Sequence, residues 1–256
     1  MKLEIRNLTK AFGGLKAIDD VSLAFPSGSL SAVIGPNGAG KSTFFNLISG
    51  AFPPDQGEVL LEGQDIVRLS RSERMHRGIG RAFQVASCFP TMTVKENLMA
   101  AVTAHIGQWG NLSRRFPPPG VPERADEVME LVGLTKVPNV EAAILSHGDQ
   151  KLLDIAIALA LEPKVLLLDE PAAGIPHSET DILLDAVEGL PKHIAILMIE
   201  HDMQIVRRFA SNVTVLVSGA ILMRGSPKDV MMSHQVREVY LGRGGADRFA
   251  SDSLHA

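Results

Sequence analysis

The sequence predicts an α/β fold with a mostly helical insertion, and three observations carry that prediction. Short β-rich runs crowd the N-terminal part, apolar strand-like runs alternate with helix-period stretches in the C-terminal part, and strand signals stop between about residues 88 and 160. With 256 residues and no linker or internal repeat, the chain reads as a single domain spanning 1–256.

Residues 3–5, 21–25, 30–34 and 59–61 are β-rich and separated by Gly, Pro and Asp turns, as in a mixed or antiparallel sheet. Helical periodicity then marks 94–105, 123–132 and 149–161, a helical subdomain of about 88–160 inserted in the α/β core. The polar, proline-rich stretch 110–122 reads as an exposed loop. Apolar runs at 165–168, 194–199 and 213–217 alternate with helical stretches at 178–188 and 203–209, the pattern of buried parallel strands.

Hydrophobic residues make up 45% of the chain, enough for a sizeable core, and the net charge of -4 lacks the basic excess of a phosphate-tracking nucleic-acid binder. The arginines of 68–81 alternate with Ser72, Glu73 and apolar positions as a solvated helix would. One cysteine, Cys88, permits no intrachain disulfide and no multi-cysteine metal site, which fits a reducing cytoplasm. Residues 1–6 alternate charged and apolar positions and lack a signal peptide's apolar core. All apolar runs fall far below the ~20 residues of a spanning helix, so membrane contact is expected to go through a partner.

Chemistry concentrates first at Gly35, Pro36, Asn37, Gly38, Ala39, Gly40, Lys41, Ser42 and Thr43, placed between an apolar strand and a helical run. This is the Walker A pattern in its expected context: glycines let backbone N–H groups wrap phosphates, Lys41 reaches the β and γ phosphates, and Ser42 can ligate Mg2+. Its four fixed positions arise by chance in such a chain on the order of once in a hundred. A second element, 165–170, is an apolar strand ending in two acids: Asp169 suits a magnesium shell, and Glu170 suits the base that polarises an attacking water. Many buried strands end in acids, so this element gains its meaning from the Walker A loop ahead of it.

A third, Leu145-Ser146-His147-Gly148-Asp149-Gln150, precedes a helix whose apolar positions keep one face. It reads equally as a helix cap, with Ser146 as N-cap and Asp149 three residues on. Leu-Ser-x-Gly-x-Gln ahead of the strand that ends in Asp169 and Glu170 resembles the signature of ABC ATPases. That resemblance implies an α/β P-loop (RecA-like) core with an N-terminal mixed or antiparallel β subdomain and an inserted helical subdomain. It also implies that Ser146, Gly148 and Gln150 face the γ phosphate of an ATP held by a second ATP-binding subunit, in a homo- or heterodimer. Further positions follow the family's order. Gln84 matches the glutamine that reaches the metal and signals to the transport partner. His201 matches the switch histidine, and Phe12 lies where a ring stacks on adenine, although a core phenylalanine would fit the sequence too.

The resemblance runs over residues 3–242 and is finer than the superfamily. Phe12-Gly13-Gly14-Leu15-Lys16-Ala17, Arg81-Ala82-Phe83-Gln84, the extra loop after Trp109, Asp169-Glu170-Pro171-Ala172-Ala173-Gly174, Ile199-Glu200-His201-Asp202-Met203 and Tyr240-Leu241-Gly242 resemble the ATP-binding subunits of branched-chain amino acid importers. The resemblance implies an ATPase using ATP and Mg2+ at the cytoplasmic face of the inner membrane. It would be bound to permease subunits, served indirectly by a periplasmic solute-binding protein, and would have no nucleic-acid partner. Two departures stand out: Pro176 replaces the Asp or Asn common in the D-loop, and His147 replaces a signature glycine. The rivals are an exporter motor for lipid or lipopolysaccharide, and a soluble ABC ATPase of translation or DNA repair. The latter usually carries two cassettes or a long coiled coil, and this chain has neither.

Overall fold

A computed structural model describes residues 2–82, 88–107 and 117–241. The chain divides into two compact units, one of residues 1–74 with 195–256 and one of residues 75–194.

The first unit begins with β1 (Leu3–Phe12) and β2 (Leu15–Phe25), which pair antiparallel with Leu3 opposite Phe25 and Phe12 opposite Leu15. Leu3, Ile5, Leu8, Val21 and Leu23 turn inward, and the polar residues between them face out, as a half-buried sheet requires. Next come β3 (Leu30–Ile34), α1 (Lys41–Ser49), β4 (Gln56–Leu61) and the two-residue β5 (Gln64–Asp65). A four-stranded sheet in the order β2-β1-β4-β5 results, with antiparallel neighbours throughout. The expected strands 3–5 and 21–25 are thus the apolar halves of longer ones. Their other halves are richer in Lys, Asp and Thr and bury only Leu8 and Ile18, so they hold mainly by pairing.

α2 (Arg71–Arg77) corrects the reading of 68–81 as a solvated helix. The helix ends at Arg77, Arg74 on it is only 1% exposed, and residues 79–82 form a strand. Arg74 is buried because its guanidinium meets four carbonyls: Nη1 donates to Leu47 (2.6 Å) and Ile48 (2.9 Å), Nη2 to Val67 (2.7 Å) and Nε to Leu69 (3.1 Å). Two of these are open carbonyls at the end of α1, where a cation also complements the helix dipole.

The second unit holds β6 (Ile79–Ala82), α3 (Val94–His105), α4 (Val121–Val132), a 3-10 turn (Ala142–Ile144), α5 (His147–Leu159), β7 (Val165–Asp169) and α6 (His177–Glu188). α3 starts at a capping box: Glu96 N–H donates to Thr93 Oγ1 (3.2 Å) while Thr93 N–H donates to Glu96 Oε2 (2.8 Å). α4 begins two residues ahead of the expected 123 because Val121 and Pro122 belong to it, proline being well suited to a helix's first turn. The rest of the expected 110–122 loop and the residue Trp109 lie largely outside the described residues. β6 and β7 run parallel, with Gly80 opposite Leu166 and Ala82 opposite Leu168.

The chain then returns to the first unit with β8 (Ala195–Ile199), α7 (Met203–Phe209), β9 (Asn212–Val217), β10 (Ala220–Gly225), α8 (Pro227–Met232) and α9 (His234–Leu241). β8 and β9 flank β3 on either side, both parallel to it, and β10 pairs antiparallel with β9. Ala32, Val33, Ile34, Ala195, Leu197 and Met198 are all buried, which is why these strands read as unbroken apolar runs.

Candidate nucleotide-binding site

In the first unit, β3 stops at Ile34 and the loop of residues 35–40 leads directly into α1. Val33 lies opposite Ile199 of β8, so the loop after β3 and Glu200-His201 after β8 leave the same carboxyl-end edge, where open α/β sheets take their ligands. Gly40 caps α1 at φ 98°, and a Cβ there would run into the carbonyl oxygen of Ala17 on β2. Glycine is required on both counts. α1 has no side-chain cap, so the N–H groups of its first turn are not taken by one. Lys41 is buried, and its Nζ donates to the carbonyls of Gly35 (2.7 Å) and Pro36 (3.1 Å), which folds the ammonium back onto its own loop. Ser42, next along, is exposed.

Phe12 is not the core residue that the sequence left open: it is 50% exposed. Its ring stands edge-on to Phe52 with centroids 5.5 Å apart, and Lys10 Nζ lies 5.6 Å and 5.9 Å from the two rings. Half the residue is thus open to solvent, as a ring free to meet a ligand would be. His201 is also exposed, with its backbone N–H donating to Oε2 of Glu200 (3.1 Å) and Nδ1 3.9 Å from the same oxygen. The buried Glu200 carboxylate thereby fixes the strand end from which His201 projects.

In the second unit, β7 delivers Asp169 and Glu170 at its carboxyl end, after four fully buried residues. Asp169 Oδ2 accepts from Arg81 Nη2 at 2.8 Å, with both side chains 12% exposed. Glu170 adopts φ 48°, a left-handed conformation uncommon outside glycine. Gln84, expected to reach the metal, lies outside the described residues.

At the start of α5, Ser146 is the N-cap, its Oγ accepting from Asp149 N–H at 3.1 Å as the capping alternative expected. Glu179, from the first turn of α6, reaches the same helix end: its Oε2 accepts from Gly148 N–H at 2.6 Å and from Ser146 Oγ at 3.4 Å. A Cβ on Gly148 would crowd that carboxylate, so a side chain there would displace Glu179 from the helix end. Gln150 turns its amide onto its own chain, donating to Leu145 (3.3 Å) and Ala142 (3.4 Å) carbonyls.

Phe12, residues 35–43 and His201 therefore sit in one unit, and Ser146, Gly148, Gln150, Asp169 and Glu170 in the other. Sequence reasoning missed Arg81 and Glu179. Arg81 had a usable signal, since it falls within a short run quoted for its glutamine. Glu179 had none, because its meaning depends on α5 and α6 packing together.

Among the described residues no group of three or more His, Cys, Asp or Glu side chains could hold a metal ion by itself. Mg2+ is usually bound by one or two carboxylates together with substrate phosphates. Asp169 fits that donor set as a single carboxylate at the carboxyl end of β7, and Ser42, in the other unit, offers an exposed hydroxyl of the oxygen type that Mg2+ takes.

The profile of the ABC transporter family matches residues 18–173. The chain is 36% identical over 249 residues to the high-affinity branched-chain amino acid transport ATP-binding protein BraF of Pseudomonas aeruginosa, covering 94% of this chain and 97% of that protein. It is 35% identical over 241 residues to the lipopolysaccharide export system ATP-binding protein LptB of Haemophilus influenzae, covering 94% and 97%. A solved ATP-binding cassette of an ABC transporter in its ADP conformation superposes with a TM-score of 0.83 at 33% identity, covering 94% of this chain and 98% of that one. With a family match over more than half its length and likeness over nearly all of it, the chain belongs to the ABC transporter family, as an ATP-binding, ATP-hydrolysing cassette.

Proposed function

We propose that the chain powers an importer for branched-chain amino acids or related small polar solutes, docked on separate permease subunits at the cytoplasmic face of the inner membrane. The observation that supports it most is the chain-wide likeness to a branched-chain amino acid transport ATP-binding protein, together with the short runs 12–17, 81–84 and 199–203. No helix among the described residues is long and apolar enough to cross a membrane, so the translocation path would belong to partners. A periplasmic solute-binding protein would deliver the solute. The likeness to a lipopolysaccharide export ATP-binding protein, of nearly equal identity, favours an exporter motor as the second reading.

In the proposed site, residues 35–40 and the first turn of α1 cradle the phosphates of ATP, and Lys41 exchanges its two loop carbonyls for the β and γ phosphates. Phe12 stacks on the adenine. Mg2+ when bound neutralises charge on the β and γ phosphates, and Ser42, Asp169 and Gln84 would hold its shell. Glu170 accepts a proton from the attacking water, His201 contacts the reacting γ phosphate, and Gln84 reaches the metal and signals to the permease. Ser146, Gly148 and Gln150 act on the ATP of a second ATP-binding subunit, so each working site is built from two chains.

The test is purification of the tagged chain with its partners from solubilised membranes, followed by solute uptake in vesicles made from that complex. Recovery of permease subunits and ATP-dependent uptake of a branched-chain amino acid is the expected result. Recovery of lipopolysaccharide-handling partners, or ATP turnover indifferent to every small polar solute, would reverse it in favour of export.

A further inference from the structure

We infer that Arg81 is the resident counter-cation of Asp169, so that the divalent cation of the nucleotide must compete with a guanidinium for this carboxylate. This rests on the reading of Asp169 as a member of the metal shell and adds to it a residue that sets how tightly the metal is held.

The geometry comes from the β6–β7 pair. Arg81 is in register with Leu167, and in parallel strands a residue shares its face with the opposite position and with the one two further on, here Asp169. The side chain therefore runs along one face toward the strand end, where Nη2 reaches Oδ2 at 2.8 Å. At 12% exposure for both partners, water screens the pair weakly, and the guanidinium neutralises much of the charge a metal would seek. An unpaired acid in so sheltered a place would be costly to hold at a strand end, and the guanidinium offsets that cost.

Competition makes a distinctive forecast. Arg81→Gln keeps a hydrogen-bond donor but removes the charge, so metal affinity should rise. Arg81→Lys keeps the charge but shortens the reach, so the rise should be smaller. A guanidinium that merely orients Asp169, or merely supports the strands, predicts the opposite: weaker metal binding in both variants.

The experiment measures Mn2+ bound with ATP by electron paramagnetic resonance in the Glu170→Gln background, which blocks turnover. Alongside it, the melting temperature is followed in chelator and with Mn-ATP. Expected is an about threefold to tenfold gain in Mn2+ affinity for Arg81→Gln, a lesser gain for Arg81→Lys, and a lower melting temperature in chelator that Mn-ATP restores by more than in the parent. Unchanged or weakened Mn2+ binding in Arg81→Gln overturns the proposal. Should that variant not fold, the same outcome in Arg81→Lys overturns it. Asp169→Asn serves as the control: if Mn2+ binding survives it, Asp169 is no metal residue and both readings fall. If Asp169→Asn loses Mn2+ while the Arg81 variants fail to gain it, only the competition falls.

Discussion

Arg74 shows at the scale of one residue how a cation can be buried without an acid against it. Four carbonyls satisfy its guanidinium, and burial pulls its pKa below the usual arginine value, with Asp65 offsetting part of that pull. The residue remains charged, since arginine begins so far above neutral pH. Replacing it by alanine would leave the end of α1 and the 67–69 segment with unpaired buried carbonyls, each costing about 1–3 kcal/mol if water does not reach it. Arg74→Ala is expected to lower stability by about 3 kcal/mol, read as a shift in the urea midpoint with little change in slope. ATP affinity should fall only as far as α1 loosens. A midpoint within error of the parent would show that solvent takes over the carbonyls. The sequence pattern of 68–81 hid this, because alternating arginines look the same whether their heads meet water or the backbone.

Among the elements, α3 depends on a cap whose strength varies with pH. Glu96 receives the backbone N–H and hydroxyl of Thr93, and these two bonds hold its carboxyl below the ordinary glutamate range. A depressed folded-state pKa gives stability that is present above the ordinary value of 4.5 and lost as the pH falls through the folded-state value. Glu96→Gln should thus be less stable than the parent at neutral pH and approach it in acid, compared by denaturant midpoints across that window. A constant gap at every pH would mean that the charge contributes nothing. Thr93→Ala should cost about 1 kcal/mol, mostly independent of pH. α3 and α7 were legible from sequence to the residue, as their bounds follow from periodicity and from polar residues at their starts. β6, β5 and β10 were not read as strands. β6 carries Gly80 and Ala82, poor strand formers by propensity, and is held by pairing with β7. β10 is only partly buried, so its alternation is faint.

For the molecule as a whole, the readable part of the site is the part built from contiguous chain: residues 35–43, 145–150 and 165–170 each carry a local pattern. What sequence could not show is which side chains from elsewhere meet these segments, as Arg81 meets Asp169 and Glu179 meets Gly148. The proposed working site needs two chains, so assembly is its most direct test. Ser146→Arg would put a cation and extra bulk at the start of α5 while leaving residues 35–43 untouched. The variant is expected to bind ATP as the parent does, yet to stay monomeric with Mg-ATP even when Glu170→Gln is added to block hydrolysis. Light scattering decides it, and a dimer that persists would remove the two-chain site. Glu170 itself carries a cost that bears on selection for heat tolerance. Its left-handed backbone at φ 48° is held against the preference of a glutamate, a strain on the order of 1 kcal/mol or more. Asparagine tolerates that conformation better, so Glu170→Asn should melt higher than the parent while losing turnover. A chain selected only for endurance would gain from that substitution, and would give up its work to do so.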